Sequence, residues 1–281
     1  MSTGKLYLVA TPIGNLGDIT YRALKTLEEV DLIACEDTRH TLKLLNHFNI
    51  SKSLTSYYEH NRIEKGRVLV EGMKNGKNIA LVTDAGTPAI SDPGEDLVKL
   101  CMENDVDVVP VPGAVALINA LIISGMDTGR FSFEGFLSVN KKSRLEHLEE
   151  VKNDTRTLIF YEAPHKLVRT LEDFLQYFGD RNISLVRELT KMHEECRKTT
   201  ISKALEYYTD IQPKGEFVLV VEGKSREEIA NEERAEFSEM TIIEHVDKLI
   251  DEGMTKKDAQ KEVARLRGIS KRDVYNEYLN K

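Results

Sequence analysis

The chain has 281 residues, 41% apolar and 31% charged, which describes a globular protein too long for one compact core. No apolar run approaches the roughly 20 residues of a membrane helix, and Met1-Ser-Thr-Gly-Lys5 enters a strand without a signal-peptide core, so the expectation is a cytoplasmic protein with no membrane partner. Cys35, Cys101 and Cys196 suggest neither a disulfide framework nor a metal site, and a net charge of −8 argues weakly against a nucleic-acid binder.

Leu6 to Ala10 reads as a buried strand running into Thr11-Pro-Ile-Gly-Asn-Leu-Gly-Asp18, followed by a helix from Thr20 with Ala23, Leu24 and Leu27 on its apolar face. The Gly14-x-x-Gly17 spacing lacks the G-x-G start of a dinucleotide fingerprint. Its glycines instead let a ligand approach the backbone closely. Leu32 to Cys35 is a second strand, and Glu36-Asp-Thr-Arg-His-Thr41 leads from it to a helix over Leu42 to Phe48. Structurally, Asp37 or Thr38 is an N-cap there. Functionally, a carboxylate, a guanidinium and an imidazole face one rim. Tyr57 to Arg62 adds polar and aromatic groups without a diagnostic spacing.

Ile79 to Val82 is a short apolar run of the kind buried on both faces of a parallel sheet. It breaks into Asp84, Gly86, Thr87, Pro88, Ser91, Asp92, Pro93 and Gly94, residues with turn chemistry. Pro93 opens a helix to about Asn104, with Leu97, Leu100 and Cys101 on its apolar face. A connection of roughly ten residues exceeds the two to six usual between strand and helix. Ligands of open α/β sheets bind beyond the carboxyl ends of the strands, so this loop is the leading candidate site. A strand over Val106 to Val109 follows, then Pro110-Val-Pro-Gly-Ala-Val-Ala116 and an apolar helix from Leu117 to Ile123. Ser124-Gly-Met-Asp-Thr-Gly129 reads as a domain boundary.

Phe131 to Phe136 opens the second half as a strand, and Asn140-Lys-Lys-Ser-Arg144 is a basic loop before a helix. Strands follow at Thr157 to Tyr161 and Ile183 to Leu189, with an amphipathic helix over Leu167 to Phe178 between them, and Glu216 to Val221 closes the sheet. Residues 225–253 are acidic, including Glu232, Glu233, Glu236 and Glu239 against Arg234, whereas residues 254–281 are basic and end at Lys281. Thr255-x-x-Asp258 and Ser270-x-x-Asp273 cap two helices around Gly268, a helix-turn-helix-like unit that serves either nucleic acid or plain packing.

Thr11 to Thr20, Cys35-Glu-Asp-Thr-Arg-His-Thr41, Thr83-Asp-Ala-Gly-Thr-Pro88, Ser91-Asp-Pro-Gly94, Phe160-Tyr-Glu162 and Arg187-Glu-Leu-Thr-Lys191, in this order, closely resemble the tetrapyrrole-methylase superfamily. They are most similar to its ribosomal branch, whose members methylate cytidine 2′-hydroxyls of small-subunit ribosomal RNA. The resemblance implies an α/β protein of two domains with a cofactor cleft between them, over residues 1–123 and 124–223, and a small C-terminal helical module over 224–281. It implies S-adenosylmethionine as cofactor, no metal, a homodimer, and small-subunit ribosomal RNA or the 30S particle as partner. By analogy the cofactor contacts are Pro12, Asp84, Ala85, Gly86, Thr87, Ile90, Ser91, Val115, Ala116, Phe160 and Tyr161. Gly86-Thr-Pro88 stands where porphyrinoid-modifying relatives carry Gly-Asp-Pro, a departure that favours the ribosomal branch.

Methyl transfer from a sulfonium is an in-line displacement that depends on alignment, and a ribose hydroxyl needs a base or stabilisation of its developing charge. Glu36, Asp37, Arg39, His40 and Lys191 are the candidate catalytic residues, none singled out as the base. Lys141, Lys142, Arg144, Lys256, Lys257, Arg265, Arg267, Lys271 and Arg272 are the candidate RNA contacts. The rival readings are methylation of a tetrapyrrole or cobalamin precursor on the same fold, and a helix-turn-helix protein that senses a ligand.

Overall fold

The structure is a computed structural model that describes residues 3–229, 231 and 240–279. Glu232, Glu233, Arg234, Glu236, Glu239 and Lys281 lie outside the described residues. Two compact units divide the chain, one within residues 1–149 and 157–222, the other within 150–156 and 223–281.

The first unit holds two five-stranded sheets. In the first sheet, β1 (Leu6–Val9), β2 (Leu32–Cys35), β3 (Leu54–Ser56), β4 (Ile79–Val82) and β5 (Val108–Val111) lie in the order β3-β2-β4-β1-β5, with every pair parallel. Alternation explains the unbroken apolar run of β4. Ile79 and Leu81 join the core with Leu69, Met73 and Leu97, while Ala80 and Val82 join Leu27, Ile33 and Leu45 on the other face. Helices α1 (Tyr21–Glu29), α2 (Thr38–His47), α3 (Arg62–Lys74) and α4 (Gly94–Glu103) supply these layers. Parallel strands joined through helices bring the carboxyl ends of β1, β2 and β4 to one edge, where the candidate loops begin.

Three features of this sheet and its helices differ from the sequence reading. α2 begins at Thr38, four residues before Leu42, because the Asp37 carboxylate accepts the Arg39 amide at 2.8 Å and caps it. β5 lies two residues later than expected and contains Pro110, which is tolerated because β5 is an edge strand. β3 and α3 had no counterpart, since three half-buried residues carry no readable alternation.

The second sheet contains β6 (Phe131–Phe136), β7 (Thr157–Glu162), β8 (Asn182–Arg187), β9 (Glu195–Thr200) and β10 (Phe217–Val221), in the order β6-β7-β10-β8-β9. Only β6 and β7 pair in parallel; the other pairs are antiparallel. β10 does not close the sheet as expected but lies at its centre, with all five residues buried. α5 (Ala116–Ser124) packs Leu117, Ala120 and Leu121 against Ile159, Val186, Val218 and Val220 of this sheet. The remaining helices are α6 (Lys141–Val151), α7 (Leu167–Phe178) and α8 (Ile201–Asp210).

In the second unit, α9 (Ile242–Asp251), α10 (Lys256–Arg267) and α11 (Lys271–Leu279) share a core of Val246, Leu249, Ala259, Val263, Ala264 and Val274. Part of the acidic stretch is therefore a helix, opened by a capping box between Thr241 and Glu244. Thr255 caps α10, and Gly268 ends it at φ +65°.

Candidate active site

Backbone hydrogen bonds lock the candidate loops together. The Thr11 amide donates to the Gly86 carbonyl at 2.9 Å, and the Gly86 amide returns the bond at 3.1 Å. The Thr87 hydroxyl donates to the Ala114 carbonyl at 3.1 Å, which ties the loop after β4 to the entry of α5. Gly86 sits at φ +85°, and a Cβ there would lie 3.1 Å from Ile13. Ala89 and Ser91 also take left-handed conformations, at φ +68° and +59°, each at a cost of about 1–3 kcal/mol. The Asp92 carboxylate fixes this bend by accepting the Ala89 and Gly94 amides at 2.9 and 2.7 Å.

Two cavities meet at these loops. The first, about 540 Å³, is bounded by Thr87, Ile90, Ser91 and Asp92 from the loop after β4, by Glu36 after β2, and by Val115 and Ala116 before α5. Its far wall is Phe136, Tyr161, Glu162, Val186, Leu189 and Val218. The second, about 500 Å³, is bounded by Pro12, Gly14, Leu16, His40, Lys43, Leu44, Asp84 and Lys191. Ile13, Thr83, Ala85 and Glu216 line both cavities. Each lies within the roughly 300–1,000 Å³ of small-ligand sites.

The charged groups around them are held unequally. Burial pushes the Glu36 carboxyl above its usual range, and the charges of Asp84, Asp92 and Asp37 add to the effect. Burial also raises Asp92, although backbone amides oppose it. Asp37 is held at about 2, first by its side-chain bonds to Arg39, whose Nε and Nη2 donate to it at 3.1 and 2.7 Å. Lys191 Nζ donates to Glu188 at 2.9 Å and to Glu216 at 3.0 Å. Burial works to lower its pKa, and the two carboxylates outweigh that and raise it. The turn that presents Lys191 is strained, with Glu188 at φ +51° and Thr190 at φ +66°. The Tyr161 hydroxyl accepts the Leu117 amide at 3.2 Å and so fixes the start of α5.

The sequence candidates fall into distinct places. Ala85, Gly86, Thr87, Ile90, Ser91, Val115, Ala116, Tyr161 and Glu36 line the first cavity, while Pro12, Asp84, Ala85, His40 and Lys191 line the second. Asp37 and Arg39 line neither; they form a bidentate pair with the Arg39 side chain 88% exposed. Phe160 is corrected: strand alternation turns it away from Tyr161 and into the opposite core, 4.8 Å from Phe174. Arg144 is also corrected as an RNA contact. Its side chain is 4% exposed and pairs with Asp173 at 2.7 Å, because it lies inside α6 rather than in the expected basic loop. Arg267 is turned inward, donating to His245 Nδ1 at 3.1 Å and the Met240 carbonyl at 2.7 Å. Arg265 pairs with Glu262 at 2.6 Å. Lys141, Lys142, Lys256, Lys257, Lys271 and Arg272 are exposed.

Glu162 and Glu216 were missed for different reasons. Glu162 ends β7 as Glu36 follows β2, so the carboxyl-end rule could have found it. Glu216 precedes β10, and that rule cannot reach it. Antiparallel pairing sets Phe217 opposite both Glu162 and Arg187, which carries the amino end of β10 to the same rim.

Comparison with known proteins accounts for this arrangement. The profile of the tetrapyrrole (corrin/porphyrin) methylases matches residues 5–205, a span that holds the whole first sheet and β6 to β9 of the second, and this places the chain in that class of methylases. The chain is 49% identical over 275 residues to the ribosomal RNA small subunit methyltransferase I of Halalkalibacterium halodurans, covering 98% of this chain and 94% of that protein. It is 48% identical to the Bacillus subtilis protein of the same name, with the same coverage. The chain belongs to the tetrapyrrole methylase family, in its ribosomal RNA small subunit methyltransferase I branch. Among solved structures, a diphthine synthase shares the fold at a TM-score of 0.64 and 14% identity, covering 79% of this chain and 91% of that one. So does the Thermus thermophilus uroporphyrin-III C-methyltransferase complexed with S-adenosylhomocysteine, at 0.56 and 18%, covering 79% and 98%.

Proposed function

We propose that this methyltransferase carries a methyl group from S-adenosylmethionine to the 2′-hydroxyl of a cytidine in small-subunit ribosomal RNA. It acts in the cytoplasm as a homodimer, on that RNA or on the 30S particle. The observation that carries the reading is the pair of cavities with a common wall at Ile13, Thr83, Ala85 and Glu216. One chamber suits a donor and its neighbour an acceptor, and the names of the relatives point to RNA as that acceptor. Residues 1–123 and 124–223 together form the catalytic body on this reading, and 224–281 form an RNA-holding module.

The first cavity fits the cofactor. Its walls combine apolar Ile90, Val115 and Tyr161 with the carboxylates of Glu36 and Asp92, a donor set for a nucleoside bearing a cationic sulfur. Its hydrogen-bonded loop leaves no Cβ at Gly86. Thr87, Ile90, Ser91, Val115, Ala116 and Tyr161 would hold the nucleoside, and Pro12, Asp84, Ala85 and Gly86 would border the reacting end. When bound, S-adenosylmethionine supplies an electrophilic methyl group on positively charged sulfur. The chain's own residues then align the acceptor hydroxyl and exclude water. Lys191, kept as an ammonium by Glu188 and Glu216, stabilises negative charge developing on the acceptor oxygen. His40 also lines the second cavity, and Glu36 is the carboxylate able to hold a proton at the rim. Arg39, steadied by Asp37, faces solvent where a phosphate can reach it.

The test is incubation with methyl-labelled S-adenosylmethionine and 30S particles lacking the modification, followed by nuclease digestion. Label on 2′-O-methylcytidine is the expected result. Label on a tetrapyrrole substrate but none on RNA favours the rival reading and sinks this one.

A further inference from the structure

We propose that the second cavity is a pocket for a single extruded nucleotide of an unpaired RNA strand, with Lys43 on its phosphate and Leu16 and Leu44 against its base. The inference rests on the RNA-methyltransferase reading and adds to it the recognition of the acceptor. His40, Lys43 and Leu44 stand at helical spacings of three and four on α2 and line the cavity together. Thr41 of the same helix also lines the cavity, and Leu45 is buried in the core. That spacing sets the Lys43 cation and the apolar Leu44 side chain each next to His40 along the wall. Leu16 is presented by the short 3₁₀ turn Leu16–Asp18 and is 41% exposed. These two aliphatic side chains in the cavity wall give a heterocyclic face something to lie against.

The charges are arranged for an anion on the α2 side. Lys191 is matched by two carboxylates, whereas Lys43 forms no ion pair among the described residues. A phosphate beside Lys43 would leave the attached sugar free to point toward the shared wall, where the first cavity begins. A stacked nucleotide cannot place its ribose inside a concave chamber, so the acceptor must leave the stack or already be unpaired.

The experiment measures binding without cofactor, by fluorescence anisotropy of the full chain with an end-labelled, cytidine-containing single-stranded RNA oligonucleotide and with the same strand in a duplex. The single strand should bind more tightly, and cytidine 5′-monophosphate should compete. Lys43→Ala should weaken single-strand binding several-fold and reduce the slope of log K against log salt by about 0.7, while Lys43→Arg restores both. Leu44→Ser should weaken binding with the salt slope unchanged, since no charge is lost. Calorimetric affinity for S-adenosylmethionine should stay at the wild-type value in every variant, which also shows that each is folded. Wild-type RNA affinity and salt slope in Lys43→Ala, or equal binding of strand and duplex, would overturn the pocket. Should wild-type protein bind cofactor and oligonucleotide yet label no RNA, the underlying function fails while the pocket stands.

Discussion

Asp37 and Arg39 are motif residues that line neither cavity. The Asp37 carboxylate caps α2 and at the same time grips the Arg39 guanidinium, and these bonds hold it at about 2. Replacing Arg39 by Ala should return the Asp37 midpoint toward the roughly 3.9 of an unpaired aspartate, as read by NMR titration of its carboxyl carbon. Methylation should fall strongly in the same variant with cofactor affinity nearly intact. Wild-type turnover would remove Arg39 from the mechanism. Glu36 is shifted in the opposite sense. Because its folded pKa is raised, it gains a proton as pH falls while an ordinary glutamate would still be ionised. If it accepts the hydroxyl proton, the acid limb of the rate profile lies above the usual glutamate range, and Glu36→Gln abolishes that limb. Lys191 cannot take that role near neutrality, since its two carboxylates raise its pKa and keep it charged. Lys191→Met should therefore lower kcat more than it changes the affinity for cofactor.

Elements explain both what could be read from the sequence and what could not. β4 and the loop after it were legible because a run of apolar residues ending in glycine, proline and aspartate has few other physical solutions. Thr20, Pro93 and Thr255 likewise marked helix starts that the structure retains. The rim contribution of Glu216 was hidden because strand direction is decided by pairing, which a single strand does not encode. Arg144 was hidden for a related reason: a basic cluster gives no sign that its third cation turns inward until Asp173 of α7 is brought against it. Arg144→Ala should cost about 3–5 kcal/mol by stranding that carboxylate, measured by urea unfolding, and leave RNA affinity unchanged. Adding Asp173→Ala should recover part of the loss. Gly14 makes a similar point about close approach, since a Cβ there would lie 2.4 Å from Lys191 Cγ and 3.2 Å from the Leu189 carbonyl. Gly14→Ala should displace the Lys191 turn, lowering turnover and destabilising by about 1–3 kcal/mol.

At the scale of the whole chain, a net charge of −8 conceals where a polyanion could be held. The basic residues of the helical unit divide by what they touch. Arg267 secures His245 and the entry to α9, Arg265 is taken by Glu262, and Lys256 lies 4.6 Å from the centre of the Tyr278 ring. Lys257, Lys261, Lys271 and Arg272 remain exposed, and all but Lys261 lie in the first turn of α10 or α11, where helix polarity favours carboxylates instead. Cations kept against that preference suit a phosphate backbone better than they suit the helices themselves. Each phosphate contact on a single strand contributes about 0.7 to the salt slope, so replacing these four by Ala should flatten log K against log salt by about 3. Surface substitutions of this kind change stability little, within about 0.5 kcal/mol each, and S-adenosylmethionine affinity should not move. Arg267→Ala should do the reverse, loosening the helical unit through the loss of its inward bonds before it alters the salt slope. An unchanged slope in the fourfold variant would assign the module to packing alone and leave RNA recognition to the catalytic body.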